Sequence, residues 1–120
     1  MLTLLISTHA YCEIFVQDLS KGKTLKIDIQ LLNGLHVNKE CVDHKKECLK
    51  YILELSNKST SLSKKEHSLV LGNPASTFCN NNKGKSEILR DSKNNEYDYC
   101  VLKEKYIIDS WDLYHHSQKK

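Results

Sequence analysis

Asn73-Pro74-Ala75-Ser76-Thr77-Phe78-Cys79 sets a helix start and places a cysteine upon it. Asn73 is a favourable helix N-cap, and Pro74 suits the first helical position, where no amide hydrogen is needed. The helix is predicted to run to about Asn81, with Gly84 ending or following it. Cys79 then falls in its second turn. Downstream, Lys85 to Arg90, Glu96 to Leu102 and Lys105 to Leu113 read as three short antiparallel strands, with Asp91-Ser92-Lys93-Asn94-Asn95 as the first turn. Cys100 lies on the middle strand. A Cys79–Cys100 bond would close a loop of about 21 residues and contribute roughly 3 kcal/mol on the chain-entropy account.

Working upstream, residues Glu13 to Leu32 alternate, with Ile14, Val16, Leu25, Ile27, Ile29 and Leu31 apolar and Lys26, Asp28 and Gln30 on the other face. The break at Ser20-Lys21-Gly22-Lys23 makes this a β-hairpin, which Asn33-Gly34 ends. An amphipathic helix is expected from Asn38 or Asp43 to Leu55, its face formed by Leu49, Ile52, Leu53 and Leu55. Residues 57–68 are rich in serine and lysine with almost nothing to bury, and read as a linker open to proteolysis. The expected fold is therefore α+β. A hairpin-helix unit over 13–56 packs beside a disulfide-stapled unit over 69–120 with a helix and a three-stranded antiparallel sheet. No internal repeat is visible between the halves.

At 120 residues and 39% hydrophobic, the chain can fold as one domain or as two very small units sharing a core. The net charge of +3 is mild, and Arg90 is the only arginine, the residue best suited to phosphate and guanine. No nucleic-acid role is expected. Residues Met1 to Cys12 contain Leu2, Leu4, Leu5 and Ile6 and no acidic residue, and end in Ala10-Tyr11-Cys12, which reads as a signal peptide over 1–12. No apolar run elsewhere reaches the roughly 18 residues of a membrane span. Cleavage after Cys12 would leave four of five cysteines, and an even count suits an oxidising compartment. A secreted or periplasmic location is expected.

Cys41 and Cys48 read less simply. In one continuous helix they would stand about 10.5 Å of rise apart, beyond the roughly 7 Å a disulfide spans. They can pair if Cys41 lies in the turn before a helix capped by Asp43. The alternatives are cross-pairing with Cys79 or Cys100, and a metal site in which Cys41, His44 and Cys48 share a helix face and His36 adds a fourth ligand, although this spacing is no recognised zinc pattern. A thiol enzyme using Cys48 with His44 or His67 has no visible orienting group or oxyanion site. Neither catalytic residues nor a cofactor are therefore expected. His115 and His116 read as an exposed tail, and Glu87, Asp91, Glu96 and Asp98 as a solvated face. Tyr97, Tyr99 and Trp111 belong to an aromatic concentration near the end of the chain. Alternation sets Tyr97 and Tyr99 opposite Asp98 and Cys100, and if the tyrosine face is outward it offers binding anchors.

Asn73-Pro74-Ala75-Ser76, Cys79, Gly84-Lys85, Glu87-Ile88-Leu89-Arg90, Glu96-Tyr97, Cys100-Val101 and Trp111 together resemble a bacterial domain of unknown function, number 333 in its series, often given a hemolysin label. The resemblance covers roughly Gly72 to His116. It implies a small exported or lipoprotein module and carries no catalytic residues over. The family pattern usually has a second cysteine pair. Here Ile108 stands near one of those positions, the tail Ser117-Gln118-Lys119-Lys120 has no cysteine, and Asp98 stands where glycine is common. Apart from the leader, no long amphipathic or apolar segment is present to enter a bilayer, so lysis is not expected.

The function expected is that of a small non-catalytic binding protein, its partner another protein or an envelope component, engaged through the aromatic C-terminal strands. The rivals are an inhibitor of a secreted hydrolase acting through loop 91–95, and an enzyme using Cys48 or the His36, Cys41, His44, Cys48 set.

Overall fold

The computed structural model describes residues 12–58 and 73–118. Of the expected leader over 1–12 only Cys12 is described, and it begins a strand; of the expected linker over 57–68 only Asn57 and Lys58 are described, and they end a helix; the rest of both lies outside the described residues. In chain order the elements are β1 (Cys12–Asp18), a 3-10 turn at Ser20–Gly22, β2 (Thr24–Leu32), β3 (Leu35–Asn38), α1 (Lys39–Asp43) and α2 (Lys45–Lys58). They continue with α3 (Pro74–Asn81), β4 (Lys85–Arg90), β5 (Glu96–Leu102), β6 (Tyr106–Asp109) and α4 (Ser110–Gln118).

The expected hairpin beside a three-stranded sheet is not what forms. The strands close into one six-stranded antiparallel barrel in the order β1-β2-β3-β6-β5-β4. The correction begins at Asn33-Gly34. Both residues have left-handed backbones (φ 51° and 81°), and Leu32 pairs with Leu35 across them. Two consecutive positive φ values make the tight turn whose twist matches flanking strands, so the pair opens a second hairpin instead of ending the sheet. The third strand this creates pairs with β6 at Val37 and Ile108, and β1 pairs with β4 through Val16–Arg90 and Gln17–Leu89. These two seams join the halves into a single closed sheet without free edges.

A second correction concerns Ser110 to Leu113, expected as strand and found in α4. Asp109 Oδ1 accepts the amide hydrogen of Asp112 at 3.0 Å, a side-chain cap that starts the helix. Leu113, Tyr114 and Ser117 then make its buried face.

The strand order also reveals a repeat that the sequence hides. Reading β1-β2-β3 from one seam and β4-β5-β6 from the other, each half is a three-stranded meander followed by a helix, and both seams are antiparallel. Phe15 pairs with Ile27, and Leu89 with Tyr97, as corresponding positions. Asn38 and Asp109 each end a third strand and cap the helix that follows. The halves are thus arranged about an approximate two-fold.

Alternation along the strands separates two buried layers. Phe15, Ile27, Ile29, Leu89 and Tyr99 fill the lumen, where Phe15 meets Tyr97 and Tyr99 edge-on with ring centroids 5.4 and 5.5 Å apart. On the outer face, Val37, Cys100, Leu102, Tyr106 and Ile108 pack under Cys41, Cys48, Ile52, Phe78 and Leu113 of the helices. Each fully buried side chain of this size contributes about 1.5–3 kcal/mol. Both faces of β5 are therefore interior, since Tyr99 points into the lumen and Cys100 under the helices.

Two disulfides lock this outer layer. Cys79 on α3 joins Cys100 on β5, and Cys41 joins Cys48. The second forms because the helix breaks at His44 (φ −114°, ψ 50°), bringing the two Cα atoms to 5.2 Å. The cap that starts the first segment is Asn38, whose Oδ1 accepts the Cys41 amide hydrogen, and not the expected Asp43. Gly84 is required by close approach. A Cβ built there would sit closer to the sulfurs of both Cys100 and Cys79 than real Cβ atoms sit to any neighbour.

Candidate functional site

The N-termini of α3 and α4, the start of β5 and the end of β6 converge at one end of the barrel. Between them lies a cleft of about 310 Å³ lined by Asn73, Ile88, Glu96, Tyr97, Asp98, Asp109 and Trp111. Two of the three aromatics expected to bind, Tyr97 and Trp111, meet here, each 38% exposed. Tyr99, the third, is 1% exposed and belongs to the lumen, so it forms no part of the surface.

The floor is organised by Asp98, which is buried. Ser110 Oγ donates to its Oδ1, while Ser86 Oγ at 2.6 Å and Asn73 Nδ2 at 3.5 Å donate to its Oδ2. Ser76 Oγ in turn donates to Ser86 Oγ at 2.9 Å. A buried carboxylate is costly unless such donors replace its water, and here they come from α3, β4 and α4 together. Asn73 also caps α3, its Oδ1 accepting the Ser76 amide hydrogen at 2.9 Å. The Asn73 to Ser76 stretch thus fixes the cleft as well as the helix start. Asp98 could have been placed from the sequence. It shares a strand face with Cys100, and a disulfide to a helix turns that face inward.

Asp109 is half-buried. Burial pushes its carboxyl above the usual carboxylate value, and the Asp112 carboxylate adds to this against the opposing pull of the Asp112 and Trp111 amides. Tyr97 stands at the mouth and donates its hydroxyl to Asp91 at 3.0 Å, which pushes the phenol pKa up. Burial works to raise Asp91, but the amides of Asn95 and Lys93, the Asn95 side chain and the Tyr97 hydroxyl outweigh it and hold Asp91 low. The same bonds order loop 91–95, with both backbone amides 2.9 Å from Asp91 Oδ1. Trp111 leans edge-on against Tyr114 and rests on His115, at centroid distances of 6.1 and 5.8 Å.

Other expected sites are taken apart by the fold. The disulfide occupies both sulfurs of the suggested His36, Cys41, His44, Cys48 ligand set. His44 turns to Glu40, with Nδ1 3.2 Å from the carboxylate, and His36 to Asp112, with Nδ1 2.7 Å from Oδ2. Cys48, as a disulfide partner with no exposure, is no nucleophile, and His67 lies outside the described residues. Of the acidic residues read as one solvated face, Glu96 and Asp98 line the cleft, Asp91 builds the loop and Glu87 pairs with Lys85. His36, Asp109 and Asp112 do bring potential metal-ligand atoms within 4.8 Å of one another. Each already has structural work, because Asp109 caps α4 and His36 ties β3 to Asp112 through both its amide and its ring.

Among the described residues, no helix is long and apolar enough to cross a membrane. No curated protein and no solved structure shows significant similarity to the chain. One family does match: residues 70–117, which take in α3, β4, β5, β6 and nearly all of α4, fit the model of the Domain of unknown function (DUF333) family.

Proposed function

We propose that the protein is a small exported, non-catalytic binding protein that engages another protein or an envelope component through the Tyr97–Trp111 cleft. The observation that carries this reading is the cleft itself. Two large aromatics, each partly exposed, flank a cavity whose floor is fixed by a satisfied network from three elements. Exposed aromatics held on rigid elements are favoured interface anchors, because they bury much area with little ordering entropy. Two disulfides support export, since such bonds persist in oxidising compartments.

The test uses three full-length variants, Tyr97→Ala, Trp111→Ala and Ile14→Ala, the last at an exposed position of β1. With folding intact by circular dichroism, the first two lose partner capture from envelope or host extracts and the third keeps it. Undiminished capture by both aromatic variants removes the proposed surface.

A second reading draws on the order of loop 91–95, which hydrolase inhibitors need in a loop presented to an enzyme cleft. It predicts inhibition within a panel of secreted proteases and lysozymes at micromolar concentration. Failure across the panel dismisses it.

A further inference from the structure

We propose that the occupant of the cleft is a basic side chain, the ammonium of a lysine or the guanidinium of an arginine presented by a partner polypeptide. This rests on the reading of the Tyr97–Trp111 cleft as the binding site and names what it takes. The chain as a whole carries a net charge of +3, yet among the described residues Glu96, Asp98 and Asp109 line the cleft and no lysine or arginine does. Negative charge is therefore concentrated at one cavity on a basic protein. Low-dielectric walls focus such a field toward an incoming cation.

The three carboxylates play different parts. Asp98 is already held by Ser86, Ser110 and Asn73, and supplies field from the floor. Glu96 is exposed and Asp109 half-buried, so both can approach a ligand. Burial and the neighbouring Asp112 make ionised Asp109 unfavourable, and a cation in the cleft would relieve that. Tyr97 and Trp111 also line the cleft, and aromatic rings attract cations the more strongly as water is excluded. Ile88 gives the aliphatic stem an apolar contact. A volume of about 310 Å³ has room for a side chain with its stem, and the same charges repel phosphate or carboxylate ligands.

Trp111 is the only tryptophan, so its fluorescence reports this cleft alone. The experiment titrates the full-length oxidised protein with acetyl-Gly-Arg-Gly-amide, and with the analogues carrying leucine or glutamate in place of arginine. The arginine peptide should give a saturable change that weakens with added salt, and the glutamate peptide none. The double variant Glu96→Gln, Asp109→Asn should weaken arginine-peptide binding at least tenfold while keeping its fold. Equal binding of the leucine or glutamate peptide, or wild-type affinity in the double variant, overturns the cationic occupant. A flat titration with all three peptides overturns it too. The broader binding reading is decided separately, by partner capture with the Tyr97→Ala and Trp111→Ala variants.

Discussion

Asn38 and Asp109 perform the same task in the two halves of the barrel. Each ends a third strand, and each turns its Oδ1 to the amide three residues on, Cys41 at 3.2 Å and Asp112 at 3.0 Å. The difference is charge. Asn38 spends its remaining capacity on the Lys105 carbonyl and the Ile107 amide, binding one half to the other. Asp109 instead keeps a partly buried carboxylate at the edge of the cleft.

Replacing Asp109 with asparagine should therefore stabilise the protein at neutral pH. Asparagine caps a helix as well as aspartate does, and the substitution removes a carboxylate that burial and Asp112 hold above its ordinary value of 3.8, with the pull of His36 the smallest of the opposing effects. As pH rises past 3.8 the unfolded chain ionises Asp109 before the folded one, so its penalty grows through that window and is complete above the folded value. Thermal melts should show a higher Tm for Asp109→Asn at pH 7, with the advantage fading toward pH 3. A lower Tm at pH 7 would contradict this account. Greater stability with weaker ligand binding is the trade-off expected of a functional carboxylate.

The two disulfides should differ in worth. Cys79–Cys100 spans 21 residues and Cys41–Cys48 spans 7. On loop-closure entropy, removing the first as a double alanine variant should cost about 3 kcal/mol, about 1 kcal/mol more than removing the second. Urea denaturation of both variants measures the difference, and a larger loss from Cys41–Cys48 would contradict the ranking.

Gly84→Ala should be disruptive although the position has an ordinary backbone. The added methyl is driven against the Cys79 and Cys100 sulfurs, so the bond or the α3–β4 connection must shift. The expected loss is about 1–3 kcal/mol, as for other overpacked sites. A denaturation midpoint equal to wild type would show that the space is there.

No disulfide crosses between the halves, since one lies within each. They are joined by the two strand seams and the shared outer core, by Asn38 bonded to Lys105 and Ile107, by Glu47 held by the Tyr106 hydroxyl at 2.7 Å and by Lys105, and by the His36–Asp112 and Arg90–Asp18 pairs. After proteolysis at a site engineered between Lys58 and Asn73, the fragments should co-elute as one species on native size exclusion. They should separate in denaturant without reductant. Separation under native conditions would mean that the seams do not hold the barrel.

Much of the second half was legible because its signals are local. The Asn73 cap, Pro74 at the first helical position and the turn residues at 91–95 act within a few residues of themselves, and each is found where the sequence puts it. The barrel was harder to read because its closure rests on Val37–Ile108 and Val16–Arg90, pairs far apart in the chain. Even so, Asn33-Gly34 followed by Leu35-His36-Val37 carries a local hairpin signal for the third strand. The alternation Ser110-Trp111-Asp112-Leu113 imitates a strand, and the cap at Asp109 overrides it. In the cleft, Tyr97 and Trp111 were visible as aromatics. The inward turn of Tyr99 depended on closure, and so escaped a strand-by-strand reading.

The most direct test of the binding cleft is site-specific photo-crosslinking in the full-length chain. Benzoylphenylalanine would replace Tyr97 in one protein and Ile14, exposed on β1, in another. The account predicts a discrete partner adduct from position 97, suppressed by acetyl-Gly-Arg-Gly-amide, and none from position 14. An adduct from position 14 with none from position 97 would place the partner elsewhere on the barrel and contradict the central claim.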